Sequence, residues 1–287
     1  MNKDDNSLVP AIEIIQEVVH KIQSGEMTLP VLPDIVLEIE KLLNNPDSTT
    51  EEMVKVLERD VVISVLLIKL ANSPVYRGSG KITKVAQAIP RLGMKEIRNI
   101  VSAIANKALY KTANKEFKDL MEKQWNHSLA CAYCSLSIAK TLSLNDPEKY
   151  FLMGLVHDVG KIILFRAVSE MTQRQDSVDM SELMSNIEIV HTNMGGILLQ
   201  SWGFNRETVR SVVLHHKSGL SSSEKKGVFI VNLADRMVNN LGYSLFEREQ
   251  INLLELESVK HLGIKAEELD VVSEVVKRIM DDVSHIL

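Results

Sequence analysis

The segment Phe151 to Phe165, FLMGLVHDVGKIILF, places an adjacent histidine and aspartate in the middle of an apolar run. An apolar environment charges several kcal/mol for an imidazole or carboxylate left without partners. Any fold that buries this segment must therefore bring other polar groups to His157 and Asp158. Two solutions exist: a hydrogen-bonded core pair, or a divalent cation that both side chains ligate. Lys161, one helical turn after Asp158, adds a third ionisable group to the same stretch.

Much of the remaining chain has helical periodicity. Met53, Val56, Leu57, Val61 and Ser64 recur at three- and four-residue spacing, behind a Ser48/Thr49–Glu51/Glu52 capping pattern that follows Pro46. Asn72-Ser73-Pro74 ends a helix, because proline disfavours helical geometry in the residue before it. Gly78 and Gly80 mark a loop, helical character resumes from Ile82 to Ile89, and Gly93 separates it from Met94–Tyr110. Helix restarts near Glu116. Asn145-Asp146-Pro147 starts another, expected to run through the His-Asp segment. Ser218 to Lys226 is expected to be an exposed loop, and Ala266 to Ile286 a terminal amphipathic helix. With 5% aromatic residues and 45% apolar residues in all, the composition favours an all-α protein over a β-sandwich. The weakly apolar stretch Thr112–Lys115 suggests a division into units 1–114 and 115–287.

The apolar run Val61–Ile68 is far shorter than the roughly 20 residues a bilayer span needs. The amino-terminal MNKDDNSLVP is acidic where a signal peptide is basic. Two cysteines, Cys131 and Cys134, cannot staple a secreted scaffold, so a cytoplasmic protein without a membrane segment is expected. The net charge of −5 argues against wholesale nucleic-acid binding.

Five of the eight histidines, His127, His157, His191, His215 and His216, sit in apolar helical stretches, as does Asp235 in VNLADRMV. The order His, His-Asp, His, His-His, Asp resembles the ligand series of HD-domain phosphohydrolases. That resemblance implies a metal held by His127, His157, Asp158 and Asp235, with His191, His215 and His216 available to a second. Imidazole and carboxylate donors together suit iron, manganese or zinc. Lys161 matches a phosphate-positioning lysine of the HD-GYP branch. The segments LPVLPDIVLEIEKLLNNPDSTTEEMVKVLERD, LLIKLANSPVY, HSLACA, GLVHDVGK, HTNMGGILLQSWGF and LHHKS, over about Leu29 to Asp235, are similar to HDOD proteins. This likeness implies an N-terminal helical bundle packed on an HD-like bundle, and a signalling module that acts through a partner protein or small ligand. The alternative is a metal-dependent phosphohydrolase acting on a phosphorylated small molecule or nucleotide, with Asp158 and Lys161 as its catalytic residues. Cyclic-dinucleotide hydrolysis is not expected. No Gly-Tyr-Pro follows His215-His216, and Lys217 stands where that branch has an acid.

Three weaker signals complete the reading. Cys131 and Cys134 share a helical face with His127, but core packing accounts for them better than a His-Cys-Cys zinc site. Lys69–Lys115 holds ten basic residues and one acid, Glu96, a pattern that solvated helix faces explain better than a nucleic-acid surface. A helix-turn-helix centred on Gly93 fails at Asn99, which falls where an apolar side chain belongs.

Overall fold

The structure, a computed structural model, describes residues 11–26, 34–45, 47–76, 78–171, 179–246 and 249–287. The amino-terminal reading on residues 1–10, the motif residues 29–33 and Pro46 lie outside them. Among the described residues the architecture is all-α, with no strand.

The first half consists of helices α1 (Ala11–Gln23), α2 (Asp34–Asn44), α3 (Thr50–Glu58), α4 (Val61–Ala71), α5 (Val85–Leu92) and α6 (Met94–Lys107). Of the two capping patterns read at Ser48 and Thr49, Thr49 forms the box. Its hydroxyl accepts from the Glu52 amide, and Glu52 accepts from the Thr49 amide. The Ser48 hydroxyl has no partner. The periodic run from Met53 to Ser64 is two helices rather than one, because Asp60 caps α4 by accepting from the Val62 and Ile63 amides. Helix α4 ends at Ala71, as the proline at 74 requires. Asn72 then ties the loop shut: its side chain donates to the carbonyls of Ile68 and Ile82 and accepts from the Ile82 amide. Helix starts at Val85, three residues later than read, and Gly93 makes the α5–α6 turn with φ +83°.

The second half holds α7 (Lys115–Thr141), α8 (Glu148–Val156), α9 (Val159–Met171), α10 (Met180–Ser201), α11 (Arg206–Leu214), α12 (Lys226–Asn240), α13 (Glu257–Leu262) and α14 (Ala266–Val283). The long helix α7 is the spine. Helices α8, α12 and α14 pack along it, α10 lies against α9 and α11, and α6 contacts α8 to join the halves. Helix α1 crosses over and packs on α9 and α10. A continuous apolar core runs from Ile15 through Leu67, Ile100, Phe117, Tyr133 and Phe165 to Met280. Burying each such side chain contributes about 1.5–3 kcal/mol.

One expectation needs correction. The FLMGLVHDVGKIILF segment is not one helix: α8 ends at Val156 and α9 begins at Val159, with His157 and Asp158 in the turn between. Neighbouring residues on a straight helix point about 100° apart and do not face a common target. The break allows both side chains to reach one centre. The start of α8 is likewise shifted by one: Pro147 occupies the capping position without a side-chain hydrogen bond, and Asp146 takes a left-handed φ of +49°.

Candidate metal centre

Helix α7 supplies Gln124 and His127, the α8–α9 turn supplies His157 and Asp158, and α9 supplies Lys161. Glu188 and His191 come from α10, His215 and His216 from the end of α11, and Asp235 from α12. Two glycines let these helices approach. A Cβ on Gly154 would lie 2.5 Å from the Cys131 carbonyl oxygen on α7, and one on Gly160 would lie 2.0 Å from the His191 carbonyl oxygen on α10. Gly160 in the His-Asp-Val-Gly-Lys motif is therefore the residue that permits His191 to reach Asp158.

Asp158 sits at the middle. Its Oδ2 is 3.3 Å from His157 Nε2, 3.5 Å from His127 Nε2 and 3.1 Å from Lys161 Nζ, and accepts a hydrogen bond from Gln124 Nε2 at 3.0 Å. Its Oδ1 faces the other way, 3.3 Å from His191 Nε2 and 3.4 Å from His215 Nε2. Asp235 Oδ1 is 3.4 Å from His127 Nε2, and its Oδ2 is 3.5 Å from His216 Nδ1. The donors thus form two groups that share Asp158: His127, His157 and Asp235 on one side, and His191, His215 and His216 on the other. Of the residues expected to hold a first metal, His127, His157 and Asp235 lie in one group, while Asp158 falls with His191, His215 and His216 and touches the first group through its Oδ2.

The tautomers follow from the hydrogen bonds. His127 Nδ1 donates to the Tyr243 carbonyl at 2.9 Å, His157 Nδ1 to Gly154 at 2.7 Å, and His215 Nδ1 to Val212 at 2.6 Å. His191 Nδ1 lies 3.1 and 3.0 Å from the carbonyls of Ile187 and Glu188. With each Nδ1–H engaged by a backbone carbonyl, the Nε2 lone pairs all point into the centre, as in metal-ligating histidines. His127 Nε2 and His157 Nε2 lie 3.2 Å apart, a separation two lone pairs tolerate only with a proton or cation between them. Asp158 Oδ1, Asp235 Oδ2 and the Nε2 atoms of His191, His215 and His216 are buried without a hydrogen-bond partner. Buried orphans of this kind require an explanation, and a divalent cation satisfies both acceptor types. The residues fit a metal.

Electrostatics agrees. Against the upward push of burial, the charges of His157 and Lys161 hold the Asp158 carboxyl well below its usual range, and His127 does the same for Asp235. Burial alone would lower His157, but Asp158 raises it well above the ordinary imidazole value. Burial pushes His215 down to about 4 and His216 to about 2. Lys161 is raised despite burial by Asp158 and by Glu188, which lies 2.8 Å from its Nζ. The ammonium is thus clasped between two carboxylates.

Gln124 and Glu188 escaped the sequence reading, although each stands three residues before a ligand-type histidine, Gln124 before His127 and Glu188 before His191. Same-face spacing at i, i+3 was the available signal. Cys131 and Cys134 are buried free thiols, outside both donor groups.

The HDOD domain family model matches residues 29–218, about two-thirds of the chain, stopping short of Asp235. An HDOD domain protein of unknown function from Geobacter sulfurreducens superposes with a TM-score of 0.74 at 23% identity, covering 95% of this chain and 99% of that one. A protein from Shewanella amazonensis, assigned provisionally as a metal-dependent phosphohydrolase, gives a TM-score of 0.71 at 19% identity over 93% of this chain and 99% of its own. An uncharacterized protein of Treponema pallidum is 22% identical over 84% of this chain, which spans only about half (49%) of that relative's length. At these identities the superpositions carry the fold alone, while the family match extends over both the first bundle and the His-Asp turn. The chain belongs to the HDOD family.

Proposed function

We propose that this chain is a signalling module whose buried His/Asp centre holds a divalent cation as a structural or sensory element. Its output would pass through a partner protein or small ligand. The observation that carries this reading is the closure of the centre. His157, Asp158, His191 and His215 are 0% exposed, and His127 and Asp235 are 2% exposed. A hydrolase needs a cleft that admits a phosphorylated substrate to the metal. Here Lys161, which would have to meet a phosphoryl oxygen, is 3% exposed and paired with Asp158 and Glu188. The cation would be held by His127, His157, Asp158 and Asp235, with His191, His215 and His216 completing a second position. Nitrogen and oxygen donors of this mix suit iron, manganese or zinc. When bound, the cation would supply positive charge beside that of Lys161 to the carboxylates Asp158, Asp235 and Glu188.

The phosphohydrolase is the second reading, and one observation favours it: His216 and Glu188 reach the surface, giving the centre an edge. No Gly-Tyr-Pro follows His216, which counts against cyclic-dinucleotide substrates. Among the described residues no helix is long and apolar enough to cross a membrane. A cytoplasmic setting and the division into units 1–114 and 115–287 are parts of the proposal. The decisive experiment measures metal content by mass spectrometry and assays the metal-loaded protein on cyclic dinucleotides, nucleotides and simple phosphate esters. Bound metal without turnover is expected. Robust hydrolysis that disappears in a folded Asp158→Ala variant would make the protein an enzyme.

A further inference from the structure

Helix α4 reads VVISVLLIKLA, apolar around its whole circumference, and a helix of that kind is ordinarily covered on every side. Here one side is open. Ile63, Leu67 and Leu70 face the core, whereas Val61, Val62 and Val65 are 74%, 61% and 45% exposed. The stripe continues through half-buried Ile68 to exposed Lys69 and there meets a groove of about 750 Å³, lined further by Asn72, Lys81, Ile82 and Ile286. The charge of this surface is one-sided. Among the described residues no acid lines the groove, and neither Lys69 nor Lys81 joins an ion pair.

A complementary stripe lies on the same chain. On α14, Glu267, Asp270, Val271 and Glu274 recur at i, i+3, i+4 and i+7, so they share one face. All four are exposed, Val271 by 60%. Glu274 lies 3.7 Å from Lys277 at the surface, a pair that solvent screens. Helices α4 and α14 come together at their carboxyl-terminal ends: Asp282 accepts from the Val75 amide at 2.9 Å, and Ile286 lines the groove with Ile68. Val62 stands ten residues before Asn72 and Val271 eleven before Asp282, roughly 15 Å along each helix. The stripes are thus arms of similar length from one junction, and both are exposed, so neither covers the other.

We infer that the two stripes form a two-fold interface between copies of this chain, α4 of each copy seated on α14 of the other. Exchange about a two-fold axis makes both contacts at once and covers the exposed valines of both stripes. It brings Lys69 and Lys81 to the acids of α14, which fixes the pairing and sets like charge against the wrong one. Because α14 packs along α7, the contact bears on the helix that supplies Gln124 and His127 to the buried centre. The inference requires neither a metal in that centre nor the signalling reading.

Sedimentation equilibrium of the chain, from low to high micromolar concentration, tests it. A dimer that weakens with added salt is expected. Val62→Glu, at an exposed position, should weaken association about tenfold or more. Two charge-reversed forms separate pairing from misfolding. Lys69→Glu with Lys81→Glu makes both stripes of one form acidic, and Asp270→Lys with Glu274→Lys makes both stripes of the other basic. Each form alone should be monomeric where the wild type is dimeric. Mixed in equal amounts they should form a heterodimer, because every acidic stripe then faces a basic one. A wild type that stays monomeric overturns the inference, and if it partitions onto anionic lipid vesicles instead, the open face of α4 belongs to a membrane. A dimer that Val62→Glu or either charge reversal leaves intact, or a mixture that stays monomeric, overturns it equally.

Discussion

Two regions of this chain carry a conspicuous concentration of charge, and they resolve in opposite ways. The histidines and aspartates scattered from residue 127 to 235 converge on one buried point from four helices and a turn. Several of the described basic residues between 69 and 115 are instead engaged separately. Lys95 pairs with Glu148, Arg98 lies 3.7 Å from Asp146, and Arg91 donates to the carbonyls of Ala71, Ser79 and Gly80. Of the described basic residues in that stretch, Lys107 and Lys111 line a pocket beside Trp125. Local density of charge in a sequence is thus a poor guide to a site. Charge set among apolar residues is a better one, because burial forces such groups to find each other.

Removing the hub of the buried centre should have the largest effect. Asp158 faces two histidines of each donor group, so Asp158→Ala should abolish metal binding. It also leaves Lys161 and the surrounding imidazoles without their counter-charge, and breaking a buried pair from one side costs about 3–5 kcal/mol. Metal analysis with urea denaturation reads both losses. Wild-type stability and metal content in the variant would mean that the two donor groups are independent of Asp158.

Next comes the approach of α9 to α10. Gly160→Ala places a methyl group 2.0 Å from the His191 carbonyl oxygen, which the helices can relieve only by separating. Overpacking of this kind costs about 1–3 kcal/mol. The displacement should also draw His191 away from Asp158 and lower the metal content, whereas the equivalent change at exposed Gly80 should leave metal content unchanged. Full metal occupancy in Gly160→Ala would show that His191 is not needed.

Acid should separate the regions as well. His215 and His216 have folded values pushed below that of a free imidazole, so the unfolded chain takes up protons that the folded chain refuses. Metal-free protein should lose stability as pH falls from about 6.5 toward 4, by about 1 kcal/mol or more over the first unit. His157 has the opposite sign: its raised value contributes stability that is complete below about 6.5 and lost as pH rises through the folded value. Stability of the metal-free protein should therefore peak near neutrality. Metal affinity should drop in acid, because imidazole and carboxylate donors must be unprotonated to bind the cation. Chemical denaturation at a series of pH values, with and without metal, checks both statements. A flat acid limb would mean that solvent reaches these rings.

Much of this was legible in the sequence, for identifiable reasons. The all-α class, the stop at Asn72-Ser73-Pro74, the Gly93 turn and the Ser218–Lys226 loop, apart from Lys226 which opens α12, follow from periodicity and turn chemistry, which are local. The break at His157-Asp158 was hidden because Leu155, Val156, Val159 and Ile162 keep an apolar pattern straight across it. The Asp60 cap was hidden in the same way, inside the repeat from Met53 to Ser64. The packing of α1 against α9 and α10 joins residues some 150 positions apart, and nothing local records it. The histidine order pointed to the residues of the centre. The shared position of Asp158 depends on which way each carboxylate oxygen turns, and that emerges only once α9 and α10 have closed over Gly160.

The smallest effect belongs to the dispersed region, and its smallness is the point. Lys95 is largely exposed and lies 3.3 Å from the better-buried Glu148 carboxylate, joining α6 to the start of α8. A pair half in water gains little, because solvent screens the attraction and the lysine loses rotamer freedom in making it. Such pairs contribute about 0.2–1 kcal/mol. Lys95→Ala should therefore cost less than about 1 kcal/mol, and less still at high salt. It should leave metal content untouched, since α6 supplies no donor to the centre. Duplex DNA should bind no better to wild type than to the variant at physiological salt, because Arg91 already faces backbone carbonyls and Arg98 the Asp146 carboxylate. A loss of several kcal/mol on Lys95→Ala, or salt-sensitive DNA binding that depends on Lys95, would show that the basic stretch is organised after all. The contrast between a converging and a dispersing region would then fail.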